Sequence, residues 1–168
     1  VEGYLFLADI YRRIGNDIER WNALVRAEKL DSTNSLILIE LGDYFFDLND
    51  YKNAQKYYEK AVASDPTSIR GWFMLGKALK LQSKFQEAIT AFLKVIEQDF
   101  DHAAAYYELG QLAASMANID QAMEYYEKCL DKDPSFLEAT IALASLYWVS
   151  KNYDQAFRYL EEGLKYSK

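Results

Sequence analysis

The sequence predicts an all-α solenoid of five helical hairpins, ten helices in all. Leucine recurs at 7, 41, 75, 109 and 143, always 34 residues apart and without an insertion. A fixed period of this size marks a stacked repeat protein. The residue after each leucine is small: Ala8, Gly42, Gly76, Gly110 and Ala144. The large residues around the leucines keep the i, i+3, i+4, i+7 spacing of one helix face, which strand alternation would not produce. Cutting at the period gives units 1–34, 35–68, 69–102, 103–136 and 137–168, beginning at Val1, Ser35, Ile69, Ala103 and Leu137.

The first helix of each unit carries the leucine stripe. Three residues before the leucine stand Tyr4, Leu38, Trp72, Tyr106 and, in the last unit, Thr140. Four residues after it come Tyr11, Phe45, Leu79, Ala113 and Tyr147. After a short polar break a second stripe follows, with Ala54, Ala88, Ala122 and Ala156 each four residues before Tyr58, Phe92, Tyr126 or Leu160. Small residues let two helices cross closely, so Gly76 is expected to face Ala88. Asp65-Pro66 and Asp133-Pro134 stop the second helix, because proline disfavours helical geometry in the residue before it. Asp31-Ser32 and Asp99-Phe100 keep the acid without the proline, and those two ends are expected to be less sharp. By their spacing Tyr58, Trp72, Phe92 and Tyr126 are expected in the core.

Trp72–Leu75–Gly76–Leu79–Ala88–Phe92–Val95 resembles the tetratricopeptide repeat (TPR) pattern, and so does Tyr106–Leu109–Gly110–Ala122–Tyr126–Cys129–Pro134. The resemblance runs in register through essentially the whole chain. It implies a single TPR domain: a right-handed superhelix of five helix-turn-helix repeats. The first, or A, helices would line a concave surface where peptides bind. Two departures fall in the first unit. Arg20 stands where the family has alanine, and the Gly15-Asn16-Asp17-Ile18 turn reads as one residue too long, so the second helix is expected to be shifted and Trp21 to pack differently.

Composition narrows the function. A net charge of −7 and a pI near 4.8 weigh against nonspecific nucleic-acid binding. No apolar run reaches transmembrane length. The chain starts at Val1, inside a repeat, so a fragment of a longer protein is expected; the compartment stays open, with the cytoplasm as the expectation. The single histidine, His102, falls at a turn and is expected to be an exposed loop residue. Cys129, the single cysteine, occupies a small-residue packing position and is expected to be buried and inert. No phosphate loop, nucleophile elbow or metal-binding spacing occurs, so neither catalysis nor a cofactor is expected.

By the family pattern, residues 2, 5, 6, 9, 12 and 13 of each unit line the groove. The candidate peptide-binding set is Ile39, Glu40, Asp43, Phe46, Arg70, Phe73, Lys77, Lys80, Tyr107, Glu108, Gln111 and Trp148. Phe46, Phe73, Tyr107 and Trp148 would present rings to the groove, where exposed aromatics mark interaction surfaces. Arg70, Lys77 and Lys80 form a basic stripe between Glu40, Asp43 and Asp47 on one side and Glu108 on the other. Either Asp43 and Glu108 neutralise Lys77, or the stripe meets an acidic group of a peptide while the rings take its apolar side chains. The family's clamp for chaperone carboxyl tails would need lysine and asparagine at residues 5 and 9 of one unit. No unit has them, so no chaperone-tail binding is expected.

The chain lacks a polar face at both ends. Its first helix is apolar too widely for one packing face, and the last carries Phe157, Leu160 and Leu164. Flanking segments of a longer protein are the expected cover, and stacking of copies is the alternative. The leading function is a non-catalytic scaffold that holds a peptide or partner helix in the groove. Self-assembly through the ends and a regulatory domain of a larger enzyme are the rivals. The helix phase makes a first prediction: Leu75→Ala or Trp72→Ala should cost about 2–5 kcal/mol, and Phe73→Ala much less. Urea denaturation of the three variants checks this, and equal losses would mean that the phase is wrong.

Overall fold

The computed structural model describes residues 1–166, which hold ten α-helices and no strand. They are α1 (Glu2–Arg13), α2 (Asp17–Leu30), α3 (Ser35–Asp47), α4 (Tyr51–Ser64), α5 (Ile69–Leu81), α6 (Phe85–Gln98), α7 (Ala103–Ser115), α8 (Ile119–Lys132), α9 (Leu137–Val149) and α10 (Tyr153–Leu164). The chain divides into two compact units, Val1–Ala91 and the residues from Phe92 onward, with the boundary inside α6. In the first unit α1 packs on α2, α2 on α3, α3 on α4 and α4 on α5, and α3 also touches α5. In the second α7 packs on α8, α8 on α9 and α9 on α10.

Three residues join the helices of every pair, and the middle one is left-handed: Gly15 (φ 69°), Asn49 (60°), Ser83 (61°), Ala117 (59°) and Lys151 (61°). Each turn closes through the same two hydrogen bonds. In the second pair Asn49 N–H donates to the Phe46 carbonyl and Asp50 N–H to the Phe45 carbonyl, both at 2.9 Å. Two carbonyls left open by the end of the helix are thereby satisfied. The Gly15 turn therefore has no extra residue, contrary to the sequence expectation, and α2 begins in the same register as α4, α6, α8 and α10. Gly15 holds the left-handed position that the other turns give to residues with a side chain.

The following helix is capped from the same turn. The Asn16 side chain accepts from Glu19 N–H at 3.2 Å and Asp50 from Asn53 N–H at 3.1 Å. At the far end of the second helices, Asp31, Asp65 and Asp133 are C-caps and α6 stops at Gln98, before Asp99. Each aspartate accepts the N–H two residues on, from Thr33, Thr67, Asp101 or Ser135. These helices end in the same register with or without proline, so the aspartate turn, not the Asp-Pro pair, sets the boundary. His102 also differs from expectation. It caps α7, its Nδ1 accepting the Ala105 N–H at 3.1 Å, and it is half-buried.

In the α3–α4 and α7–α8 pairs a glycine lies directly against a ring. A Cβ added to Gly42 would lie 2.4 Å from Tyr58 Cε1, and one on Gly110 would lie 2.5 Å from Tyr126 Cε1. At these two positions the small residue makes room for the aromatic four residues beyond the alanine. Both tyrosines are buried. Trp72 is only half-buried, although it was expected in the core; its indole N–H reaches out to the Pro66 carbonyl at 2.8 Å.

Arg20, the departure from alanine, is buried. Its Nη1 donates to Asp47 Oδ2 at 2.6 Å, and its guanidinium carbon lies 5.5 Å from the Tyr44 ring centre. Leu24 stands where the next three pairs carry Tyr58, Phe92 and Tyr126, so a smaller side chain at that position accompanies the larger one at Arg20. Trp21 packs against Tyr44 and Phe45, with ring centres 5.1 and 5.6 Å apart.

Two substitutions should move stability in opposite directions. Gly42→Ala should destabilise by about 1–3 kcal/mol through overpacking against Tyr58, despite alanine's better helix propensity. Ala117→Gly should stabilise by up to about 1 kcal/mol by relieving left-handed strain. Thermal unfolding reads both, and a higher melting temperature for Gly42→Ala would contradict the packing account.

Candidate functional site

In the first unit the candidate surface is built on α3 and α5, the A helices of neighbouring pairs. Arg70, at the start of α5, reaches back to α3. Its Nη2 donates to Glu40 Oε1 at 2.7 Å and also to Asp43 Oδ2. Asp43 in turn accepts the Tyr58 hydroxyl through Oδ1 at 2.5 Å, so the chain Glu40–Arg70–Asp43–Tyr58 ties α3, α4 and α5 together. Burial pushes the Asp43 carboxyl above the ordinary carboxylate range, although the bonds from Tyr58 and Arg70 oppose it. Desolvation opposes the charge of Arg70, but Asp43 and Glu40 outweigh it and raise its pKa.

Lys77 lies one turn along α5 from Phe73. Its ammonium is 5.5 Å from the Phe46 ring centre and 5.9 Å from that of Phe73, close enough for cation–π attraction to both. Phe46 is held edge-on to Tyr51, with ring centres 5.3 Å apart. Phe46, Phe73, Lys77 and Lys80 are all half-buried.

Three expected groove residues sit deeper than the pattern implied. Ile39 is fully buried, 0% exposed, and belongs to the core. Phe73 and Tyr107 share its register but are only half-buried. Asp43 is buried by its bonds to Tyr58 and Arg70. Glu108 is also buried, close enough to Tyr107 and Tyr126 that its charge adds to the effect of burial in raising both phenols.

The second unit supplies Tyr107, Glu108, Gln111 and Trp148. Gln111 Nε2 donates to the Tyr107 hydroxyl at 2.7 Å. The Tyr107 ring packs against Phe136 and Tyr126, with centres 5.0 and 5.8 Å away, so it serves the core as much as a surface. Trp148 is 55% exposed and lies edge-on to Tyr153 and Phe157.

Sequence reasoning missed a polar cleft of about 390 Å³ formed by α8, α9 and α10. Tyr159 and Glu127 are part of its wall. Glu127 accepts the Tyr159 hydroxyl at 3.0 Å and the Tyr147 hydroxyl at 2.9 Å. The available signal was Gly163, which stands where earlier units carry Ala61, Val95 or Cys129; it lets Thr140 approach within 2.7 Å of a would-be Cβ.

Burial pushes the Cys129 thiol up to about 12, leaving it protonated at neutral pH. Among the described residues, no three His, Cys, Asp or Glu side chains are grouped to hold a metal ion. No helix among them is long and apolar enough to cross a membrane.

Tetratricopeptide repeat family models match residues 39–104 and 103–136. The small glutamine-rich tetratricopeptide repeat-containing protein 2 of Saccharomyces cerevisiae is 33% identical over 82 residues, 49% of this chain. That match spans only 24% of the yeast protein's length. The crystal structure of MamA superposes with a TM-score of 0.87 at 29% identity, covering 96% of this chain and 94% of MamA. PilF of Pseudomonas aeruginosa gives a TM-score of 0.88 at 25% identity, covering 98% of this chain and 75% of PilF. The chain belongs to the tetratricopeptide repeat family. Its fold is an all-α TPR solenoid, the architecture of a protein-interaction scaffold.

The buried carboxyl predicts a pH dependence. An acid whose folded pKa is raised holds its proton more tightly in the folded chain. Its stabilising contribution is present at acid pH and is lost as pH rises from the ordinary value of 3.8 through the raised folded value. Asp43→Asn keeps an acceptor for Tyr58 and removes that loss, so the variant should gain stability relative to wild type between about pH 4 and pH 7. Urea unfolding across that range checks it, and a pH-independent gap would count against the assignment.

Proposed function

We propose that this domain is a non-catalytic scaffold whose α3–α5 surface holds a peptide or partner helix bearing apolar side chains beside an acidic group. The observation that carries this reading is Lys77 held between Phe46 and Phe73 on a half-exposed A-helix face. The two rings offer apolar contact area, and the ammonium offers a directional charge that fixes register. Arg70 is already engaged by Glu40 and Asp43, so its role is to hold α5 against α3 while Lys77 meets the ligand. Phe46, Phe73 and Lys77 contact the ligand in this reading, with Lys80 flanking. Glu40 and Asp43 position Arg70. Tyr107, Gln111 and Trp148 are candidate contacts of the second unit, on its own A helices. The net charge of −7 favours ligands whose acidic group is single and local, since a strongly acidic peptide would be repelled as a whole.

The test is fluorescence polarisation with labelled 12-residue peptides. One series carries a single glutamate flanked by leucine and phenylalanine, and a matched series has lysine for the glutamate. Wild type should prefer the acidic series. Lys77→Glu should lose about tenfold in affinity, equivalent to about 1.4 kcal/mol, with its circular dichroism unchanged. Equal binding of both series, or undiminished binding by Lys77→Glu, would refute the reading.

A further inference from the structure

One ion pair of the first unit is not repeated by the sequence. Ala54, Ala88, Ala122 and Ala156 hold the place of Arg20 in the other pairs, and Leu81, Ser115 and Val149 hold the place of Asp47 on the later A helices. Arg20 is 2% exposed, and its Nη2 is buried without a hydrogen-bond partner. A buried guanidinium with an unmet donor is costly, and alanine at the same place carries no such penalty. What Arg20 provides is a fixed carboxylate. Its Nη1 donates to Asp47 Oδ2 at 2.6 Å, and the Asp47 side chain is 52% exposed. Asp47 Oδ1 accepts no hydrogen bond among the described residues.

Asp47 borders the α3–α5 surface. It follows Phe46 on α3 and lies one turn beyond Asp43. The Tyr58 phenol is raised chiefly by burial, next by Asp43, and further by Asp47, so this carboxylate stands near the Glu40–Arg70–Asp43–Tyr58 chain. Neighbouring acids are already engaged: Arg70 holds Glu40 and Asp43, and Arg12 and Arg13 hold Asp9. Lys77 lies over the Phe46 and Phe73 rings and makes no ion pair or hydrogen bond among the described residues. Two opposite charges with unused capacity, Asp47 and Lys77, therefore adjoin one ring, Phe46.

We propose that Asp47 is a second charged contact of this surface and takes a lysine or arginine side chain of the same peptide whose acidic group meets Lys77. The inference rests on the reading of the α3–α5 surface given above and narrows its ligand. The preferred segment sets an apolar residue on Phe46, a base at Asp47 Oδ1 and an acid at Lys77. A charge-assisted hydrogen bond to a carboxylate that is already fixed loses less freedom than one to a mobile side chain. Arg20 acts through Asp47 and is a positioning residue. Opposite charges leave the segment neutral, so a domain of charge −7 does not repel it.

Fluorescence polarisation at about 0.15 M salt tests this with the glutamate peptide as parent. Daughter peptides carry lysine or glutamine at one site, from two to five residues to either side of the glutamate. On wild type, lysine should bind about tenfold tighter than glutamine at one particular offset. Asp47→Asn should bring that ratio to about one and keep the preference for glutamate over its lysine match. Asp47→Asn leaves the Arg20 charge buried without its partner, so Arg20→Met/Asp47→Asn, which removes the pair together, serves as the second variant and should give the same ratio. Circular dichroism checks that both are folded. Arg20→Met alone leaves the carboxylate exposed but unheld, and its ratio should fall between those of wild type and Asp47→Asn. Lysine and glutamine peptides that bind wild type alike at every offset overturn the proposal. An equal gain from lysine at all offsets also overturns it, because that is the effect of net charge alone. So does a ratio that survives in both variants lacking the Asp47 carboxylate. A parent peptide that binds no better than its lysine match removes the reading of the surface together with this inference, whereas a glutamate preference without a lysine preference removes this inference alone.

Discussion

A glycine beneath a tyrosine ring sets the geometry of the fold. Gly42 under Tyr58 and Gly110 under Tyr126 bring the helices of a pair so close that no Cβ fits between them. Close crossing buries the rings, and buried rings stabilise an interface that short helices could not hold through backbone hydrogen bonds alone. The helices run 12 to 14 residues, near the length at which an isolated helix is marginal in water. The short left-handed turn is the second half of this constraint. A three-residue link can return the chain at that crossing only if its middle residue takes positive φ, and four of the five turns accept that strain in a residue with a side chain.

The same crossing links the core to the candidate surface. The ring that occupies the space over Gly42 carries its hydroxyl to Asp43, and Asp43 engages Arg70 on the neighbouring A helix. One polar chain therefore runs from the interior of the α3–α4 pair to the face of α5. The acid is held by its partners at a net cost from burial, as its raised pKa records. The cluster fixes the spacing of α3 and α5, and with it the separation of Phe46 and Phe73 that places Lys77 between two rings.

Much of the fold was legible because helical packing is periodic. Leucines at a fixed interval, small residues beside them and aspartates at the far turn are local signals, and the helices begin and end in the register they imply. The unusual first pair was harder. Gly15 read as an insertion because glycine suggests irregular chain, yet it is the residue best suited to a conformation that every pair uses. Arg20 was visible as a departure, but not its partner: Asp47 lies 27 residues away and becomes a neighbour only when α2 packs on α3. On the candidate surface, phase alone put Ile39, Phe73, Tyr107 and Ile141 on one line, yet Ile39 is buried, the two rings are half-buried and Ile141 is exposed, because burial depends on what each position meets in the fold.

By itself the sequence determined the helix number, the lengths of the turns outside the first pair and the identity of the packing stripes. Those features rest on local propensity and on a repeat that has the same meaning in each unit. Only the tertiary structure decided which charges pair and which groove positions are covered. Pairing depends on distances between helices, and burial depends on what the neighbouring helix brings to the contact. Glu40 and Glu108 make the difference plain. They occupy the same place in the repeat, yet Glu40 is engaged by Arg70, while Glu108 is buried near two tyrosines.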